Sequence, residues 1–469
     1  MWTVNKAACA CKKILLIRGM PLYLRFQAGK QRGCSQDAVR RVFLFLQGKL
    51  AVCGGFAASA LGSVQTVVSL CNLLVYWKLR TLRSSGSKKA ILAYKVSLFC
   101  VTSHIKRNKK EHVMQQKALI AGISGVIGTA LAEQLLSKGW QVYGLSRGRT
   151  QVPAGCQTFA ADLTSVDFVN HALKDQQFDK VFFSVWSRQK NEKENIRVNG
   201  VMVRHVIDAL GERLRGAHVA LVTGLNHYIG SFDAHGRGAV AMTPFREEQG
   251  RQPVDNFYYA QEDELFAGAN KYGYSWSVHR PHTIIGFALG NAMNMGQTLA
   301  VYATLCKETG QPFVFPGSEA QWNGLVDMTD ARLLARQLEW AATTPAAQNQ
   351  DYNTVNGDVF RWKWMWQQIA DYFGIEAVVP FPGNIKPLEG RMDDAPAQWR
   401  VIAEKYQLRE ADINNLVSWW HTDADLGRTR EAFADVSKSR KAGFAGYQST
   451  LDAFIELFKK LKVGKFIPT

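Results

Sequence analysis

Acidic residues are nearly absent from the beginning of this chain. Of the 39 Asp+Glu in 469 residues, only Asp37 and Glu111 lie in residues 1–113, against 20 Lys+Arg. The other 356 residues hold 37 basic and 37 acidic groups, so the formal charge of +18 belongs to the amino-terminal stretch alone. The neutral balance of the body does not support nucleic-acid binding, which needs a basic face. Cysteine is scarce there too. Six of the 8 cysteines lie upstream of residue 114, leaving Cys156 and Cys306. Two distant thiols make no disulfide framework and point to a reducing compartment, hence a cytoplasmic protein. HExxH is missing and no Cys/His pair has zinc spacing, so no metal is expected. What is abundant is apolar surface: 47% of residues, in a chain long enough for more than one folding unit.

Residues 50–77 carry no charged side chain. Such a run exceeds the roughly 20 apolar residues that a bilayer requires. It is diluted by Gly54, Gly55, Ser59, Gly62, Ser63, Gln65 and Asn72, and basic residues flank it on both sides, which weakens any orientation signal. Three readings compete for 1–113: a membrane anchor, a disordered basic extension, or sequence upstream of the working start. Met114 directly precedes QQKALIAG, and charge and cysteine content change there, which favours the third reading. Membrane contact is expected only if 50–77 is a real anchor.

From residue 114 the pattern becomes regular. KALIAG (117–122) suits a buried parallel strand, and residues 126–138 form a helix with Ile127, Leu131, Leu135 and Leu136 on one face. Further strands are expected at 141–146, 156–162, 179–186, 218–224 and 274–281, with helices at 194–214 and 258–272. This alternation predicts an α/β fold, a doubly wound parallel Rossmann sheet. Beyond Gly286 it decays, which suggests a nucleotide-binding domain over 114–286 and a smaller substrate lobe over 287–469. The last helix, 450–462, carries Leu451, Phe454, Ile455 and Phe458 on a docking stripe.

The first strand runs into AGISGVIG, where Gly122, Gly125 and Gly128 have the spacing GxxGxxG. A strand that turns sharply into a helix, with backbone N–H groups approaching a pyrophosphate, needs glycine at such points. Ser124, Val126 and Ile127 complete this candidate cofactor loop. The second strand ends in LSRGR, without the acidic residue that holds the ribose 2′-hydroxyl of NAD. Ser146 and Arg147, with Arg149 nearby, suit a 2′-phosphate, so NADPH is the expected cofactor. Asp162 and Leu163, at the end of the third strand, suit either an adenine contact or an ordinary cap.

The glycine turn, Asp162-Leu163, a tyrosine opening a later helix and HRPHTIIGF (279–287) together resemble the extended short-chain dehydrogenases/reductases. SVWSRQKNEKENIRVN (184–199), TGLNHYIGSF (223–232), NFYYAQEDEL (256–265) and YNTVNGDVFRWKWMW (352–366) resemble its progesterone 5β-reductase/iridoid synthase-like branch. The resemblance runs from about residue 114 to the carboxyl end. It implies NADPH-dependent 1,4-reduction of a small apolar enone or enal: addition at the β-carbon leaves an enolate that a donor must hold.

The resemblance makes Tyr259, the second tyrosine of NFYY, the oxygen donor, with Tyr258 as runner-up. The branch's TGxKHY lysine is replaced here by Asn226. Asparagine carries no charge to lower a phenol's pKa, so the tyrosine should remain a donor rather than a base. That disfavours alcohol oxidation more than enone reduction, though weakened catalysis is an equal implication. Trp186 resembles the aromatic at the pocket floor beside the nicotinamide, with core packing as the alternative, and Tyr228 is a candidate substrate contact. Pro281, Thr283 and Ile284 resemble the segment that meets the nicotinamide amide, while His279 and Arg280 are expected to be structural. Met293, Met295 and Trp322 suit pocket lining or core, and Trp362, Trp364 and Trp366 packing or surface. Two other functions remain open: a 1,2-carbonyl or sugar-type reductase, and an NADP(H)-binding sensor without turnover. A homodimer is also left open.

Overall fold

The computed structural model describes residues 12–17, 20–25, 115–148, 152–230, 241–290 and 293–469. The uncharged run 50–77 and Arg149 lie outside the described residues. The chain separates into two compact units, Met1–Val113 and Met114–Thr469. In the first, Lys12–Ile17 and Met20–Arg25 pair as an antiparallel hairpin.

The second unit is built on seven parallel strands: β1 (Lys117–Ala121), β2 (Gln141–Ser146), β3 (Gln157–Ala160), β4 (Lys180–Phe183), β5 (His218–Val222), β6 (Ser275–Pro281) and β7 (Gln350–Thr354). Their spatial order is β7-β6-β5-β4-β1-β2-β3. The order reverses between β1 and β4, and ligands of such sheets bind at the carboxyl ends beside that switch. The helices used below are α1 (Val126–Ser137), α2 (Val166–Leu173), α3 (Glu192–Leu210), α4 (Asn226–Ile229), α5 (Phe257–Tyr272), α6 (Met295–Thr309), α7 (Ala331–Thr343), α8 (Trp362–Phe373), α9 (Trp419–Leu426) and α10 (Thr450–Val463).

Both faces of the sheet are covered, which is why its strands read as apolar runs. Leu119 and Ala121 of β1 join Val203, Val206 and Ile207 of α3 and Leu265 of α5 in one core. Ala118 and Ile120, alternating to the other face, join Leu131 and Leu135 of α1 and Leu334 and Leu338 of α7. Each fully buried leucine contributes about 2 kcal/mol of transfer free energy. Capping sets where α5 begins and ends. The Asn256 side chain accepts from the Tyr258 N–H, and Gly273 closes the helix at φ 72.

β7 was not apparent in the sequence. QDYNT has no apolar run because its buried positions include Asn353 and Thr354, which bond to Tyr228, Gln337 and backbone rather than to hydrocarbon. The lobe drawn over 287–469 is therefore corrected. It is not a separate body, since it returns to supply β7 to the sheet and α7 to one face. The rest of this stretch makes its own core around Tyr302 of α6, Trp362 and Trp366 of α8, and Phe454 and Phe458 of α10. Trp366 stacks on Phe313 with ring centroids 4.1 Å apart. Met295 belongs to that core and Trp322 packs against it, whereas Trp364 faces solvent. Among the described residues no helix is long and apolar enough to cross a membrane.

Candidate active site

The glycine loop has the geometry of a phosphate cradle. Gly122 adopts φ +89, and a Cβ there would lie 3.0 Å from the Ser184 carbonyl oxygen. A Cβ on Gly128 would lie 2.1 Å from the Gly122 oxygen, so helix and loop touch only because hydrogen occupies that position. Gly125 precedes α1 in extended conformation, and no side chain caps the helix there. Val126 is buried, while Ser124 and Ile127 are half-buried at the turn. The first N–H groups of α1 are thus directed at a site that suits an anion. These residues fit a dinucleotide.

Ser146 ends β2, its hydroxyl accepting from the Gly148 N–H at 3.4 Å, and Arg147 next to it is exposed. Asp162 accepts from the Thr164 N–H and hydroxyl at 2.9 and 2.8 Å, both through Oδ1. Those bonds hold its carboxyl below the usual range. Leu163 is buried, with His205 Nδ1 2.9 Å from its carbonyl oxygen. Trp186, in the loop after β4, stacks on Phe257 at 4.9 Å. Pro281 ends β6, and its carbonyl accepts from the Leu225 N–H at 3.0 Å. Ile284 pairs with Thr329, and the Thr283 hydroxyl donates to Asp425 at 2.7 Å.

The two tyrosines of NFYY point to different places, and the choice of Tyr259 is corrected. Its hydroxyl donates to the His227 carbonyl at 2.6 Å and accepts from the Gln252 N–H at 2.9 Å. With donor and acceptor both committed to backbone, it is a structural strut. Tyr258 reaches the strand ends instead. A Cβ on Gly224, just beyond β5, would lie 3.0 Å from the Tyr258 hydroxyl and 3.4 Å from the Pro281 carbonyl oxygen. Burial, with Glu192 and Asp425 nearby, pushes the Tyr258 phenol well above its ordinary pKa. Asn226 opens α4, is buried, and is anchored by its carbonyl, which accepts from the Asn256 side chain at 2.9 Å.

Tyr228 is likewise corrected as a substrate contact. It is wholly buried, donates to Asn353 at 2.8 Å, accepts from Arg280 at 3.1 Å and stacks on Phe245. Four residues after Tyr258, one turn along α5, stands Glu262. It is buried against Arg280, Arg251 and His227. Burial opposes its charge, but those three neighbours outweigh it and lower its pKa. Arg280 and His279 are structural, as expected. His279 Nδ1 lies 2.8 Å from Gln337, and Arg280 holds Asp351 at 2.7 Å. Gly224, Glu192 and Asp425 lie around Tyr258 without having been candidates in the sequence. Only Gly224 had a signal, a glycine at a strand's carboxyl end.

Residues 161–468 match the PRISE-like Rossmann-fold domain. The chain belongs to this family. It is 35% identical over 371 residues to a 3-oxo-Delta(4,5)-steroid 5-beta-reductase of Arabidopsis thaliana, covering 75% of this chain and 93% of that protein. It is also 35% identical over 368 residues to the (S)-8-oxocitronellyl enol synthase CYC2 of Camptotheca acuminata, covering 76% and 94%. Among solved structures, this PRISE-like chain is similar to a UDP-glucose 4-epimerase of Thermotoga maritima, with TM-score 0.54, 12% identity and coverage of 73% and 99%. It is also similar to the Bordetella bronchiseptica enzyme WbmG in complex with NAD, with TM-score 0.52, 14% identity and coverage of 76% and 98%. At such identities these two structures establish the shared fold. The PRISE-like assignment agrees with the seven-stranded parallel sheet.

Proposed function

We propose that this chain is an NADPH-dependent reductase that adds hydride 1,4 across α,β-unsaturated carbonyls. The observation that carries this reading is the place of the Tyr258 hydroxyl at the ends of β5 and β6, beside Gly224 and the Pro281 carbonyl; a phenol is protonated at neutral pH, and burial with Glu192 and Asp425 nearby raises its pKa further. The relatives' names support it. A 3-oxo-Delta(4,5)-steroid contains a C=C bond conjugated to a ketone, and an enol is the immediate product expected of 1,4-addition.

When bound, the reduced nicotinamide supplies the hydride. Gly122, Gly125 and Gly128 let backbone N–H groups meet its pyrophosphate. Ser146 and the exposed Arg147 supply a hydroxyl and a fork-shaped cation for a 2′-phosphate, which supports NADPH over NADH. Tyr258 donates a hydrogen bond to the substrate carbonyl oxygen, where negative charge grows. A phenol held protonated is a good donor and a poor base. Asn226, uncharged, does nothing to change that. Trp186 stacks on Phe257, whose ring lies against the ring of Tyr258, an apolar group suited to a small hydrophobic enone.

The test is product analysis with cyclohex-2-enone and small enals under NADPH. Saturated ketone or aldehyde is expected. Allylic alcohol as the main product, or binding of NADPH without consumption, would overturn the reading.

A further inference from the structure

α9 lies more than 130 residues beyond β6 in sequence, yet the first two residues after β6 are tied to it and to the residues that follow it. The Thr283 hydroxyl donates to Asp425 Oδ2 at 2.7 Å. Asp425 Oδ1 accepts from Arg428. Arg428 Nη1 in turn lies 2.6 Å from His282 Nε2, and His282 Nδ1 lies 2.8 Å from Asp327 Oδ1. A guanidinium only donates and a carboxylate only accepts, so His282 Nδ1 donates to Asp327 and Nε2 accepts from Arg428. Its main-chain N–H is fixed as well, donating to the Thr329 hydroxyl at 3.0 Å.

This chain of buried charge needs a reason. Asp425 is 4% exposed, and besides Arg428 it has His421 Nε2 3.7 Å from Oδ2, the oxygen that accepts from Thr283. Desolvating a carboxylate costs several kcal/mol, and an apolar residue of similar volume is often at least as stable. What an apolar residue would not do is hold a hydroxyl in one position. The hydroxyl that Asp425 holds belongs to Thr283, two residues beyond Pro281 at the carboxyl end of β6, where the Pro281 carbonyl and the Tyr258 hydroxyl both approach Gly224.

We propose that Asp425 is a positioning residue of the reductase site, which acts by fixing Thr283 against the nicotinamide end of the cofactor. The inference rests on the function proposed above. Arg428 and His282 form the second tie, holding the neighbouring residue of the same loop. Asp425 thereby makes cofactor geometry depend on the carboxyl-terminal part of the chain.

The experiment uses the full chain and four variants: Asp425→Asn, Thr283→Val, Thr283→Ser and the double variant Asp425→Asn/Thr283→Val. NADPH affinity is measured by fluorescence titration, and kcat and KM with cyclohex-2-enone. Each of Asp425→Asn and Thr283→Val should raise the NADPH Kd about tenfold. The double variant should be no worse than the weaker single one, because one interaction is removed twice. Thr283→Ser, which keeps the hydroxyl, should restore wild-type affinity. A lower melting temperature with unchanged Kd, kcat and KM would make Asp425 merely structural and overturn the proposal. Full additivity, or failure of Thr283→Ser to restore binding, would overturn it as well. If Asp425→Asn does not fold, the contrast between Thr283→Val and Thr283→Ser decides: equal Kd values refute it. Absence of NADPH binding in the unaltered chain would instead overturn the function proposed above, and the present inference with it.

Discussion

The Tyr259 hydroxyl donates to the main-chain carbonyl of His227 across 2.6 Å. That bond separates two adjacent tyrosines into a strut and a candidate donor. Tyr259→Phe removes it together with the bond accepted from Gln252. Each such bond is worth about 1 kcal/mol. We expect a lower midpoint in urea and less than about a tenfold change in kcat, since the reacting atoms are untouched.

Tyr258→Phe should behave in the opposite way. Loss of a single hydrogen-bond donor to a developing oxyanion typically costs about 100- to 1000-fold in kcat. Stability and NADPH affinity should be nearly unchanged, because the ring and its contact with Phe257 at 4.3 Å remain. Steady-state kinetics beside a thermal melt checks both halves.

Asn226→Lys restores a cation at the start of α4. A cation beside the phenol favours phenolate and lowers its pKa, the reverse of the effect of burial, Glu192 and Asp425. NADPH affinity should hold or improve, and alcohol–carbonyl interconversion should gain more than enone reduction. Assaying allylic alcohol oxidation at several pH values reads this directly.

Gly128→Ala places a methyl group 2.1 Å from the Gly122 oxygen. The backbone must move, at a cost of about 3 kcal/mol. A depressed melting temperature and lost NADPH-induced stabilisation are expected. Arg147→Ala should spare the fold and weaken NADPH far more than NADH, which paired titrations would show.

Acid should destabilise the sheet through its buried histidines. His218 Nε2 lies 2.9 Å from the Ser277 hydroxyl, itself 3.0 Å from His279 Nε2. Burial, aided by Lys180 and His279, pushes His218 down to about 3, and burial pushes His279 down to about 4 despite its bond to Gln337. The unfolded chain takes up these protons near pH 6.5 and the folded chain does not. Stability therefore rises with pH through this window and falls on acidification below about 6.5, by about 1.4 kcal/mol per pH unit per histidine until its folded pKa is reached. Urea titrations from pH 7 to 4 should show this slope, and His218→Gln should flatten it.

The strands β1 to β6, the glycine turn and the family were legible because they are local. A buried parallel strand must be apolar over consecutive residues, and a tight strand-to-helix turn must be glycine, whatever else the chain does. β7 was hidden because hydrogen bonds, not hydrocarbon, bury its Asn353 and Thr354. In NFYY, two identical side chains one position apart on a helix point about 100° from each other. Which one meets the cleft depends on how α5 rolls against β5 and β6. Gly224 on one side and the His227 carbonyl on the other decide that roll, and only folding brings them there. The same holds for Thr283 and Asp425, whose 142-residue separation leaves no local trace. Composition and periodicity can specify a backbone path; the environment of a single hydroxyl is a property of distant segments in contact.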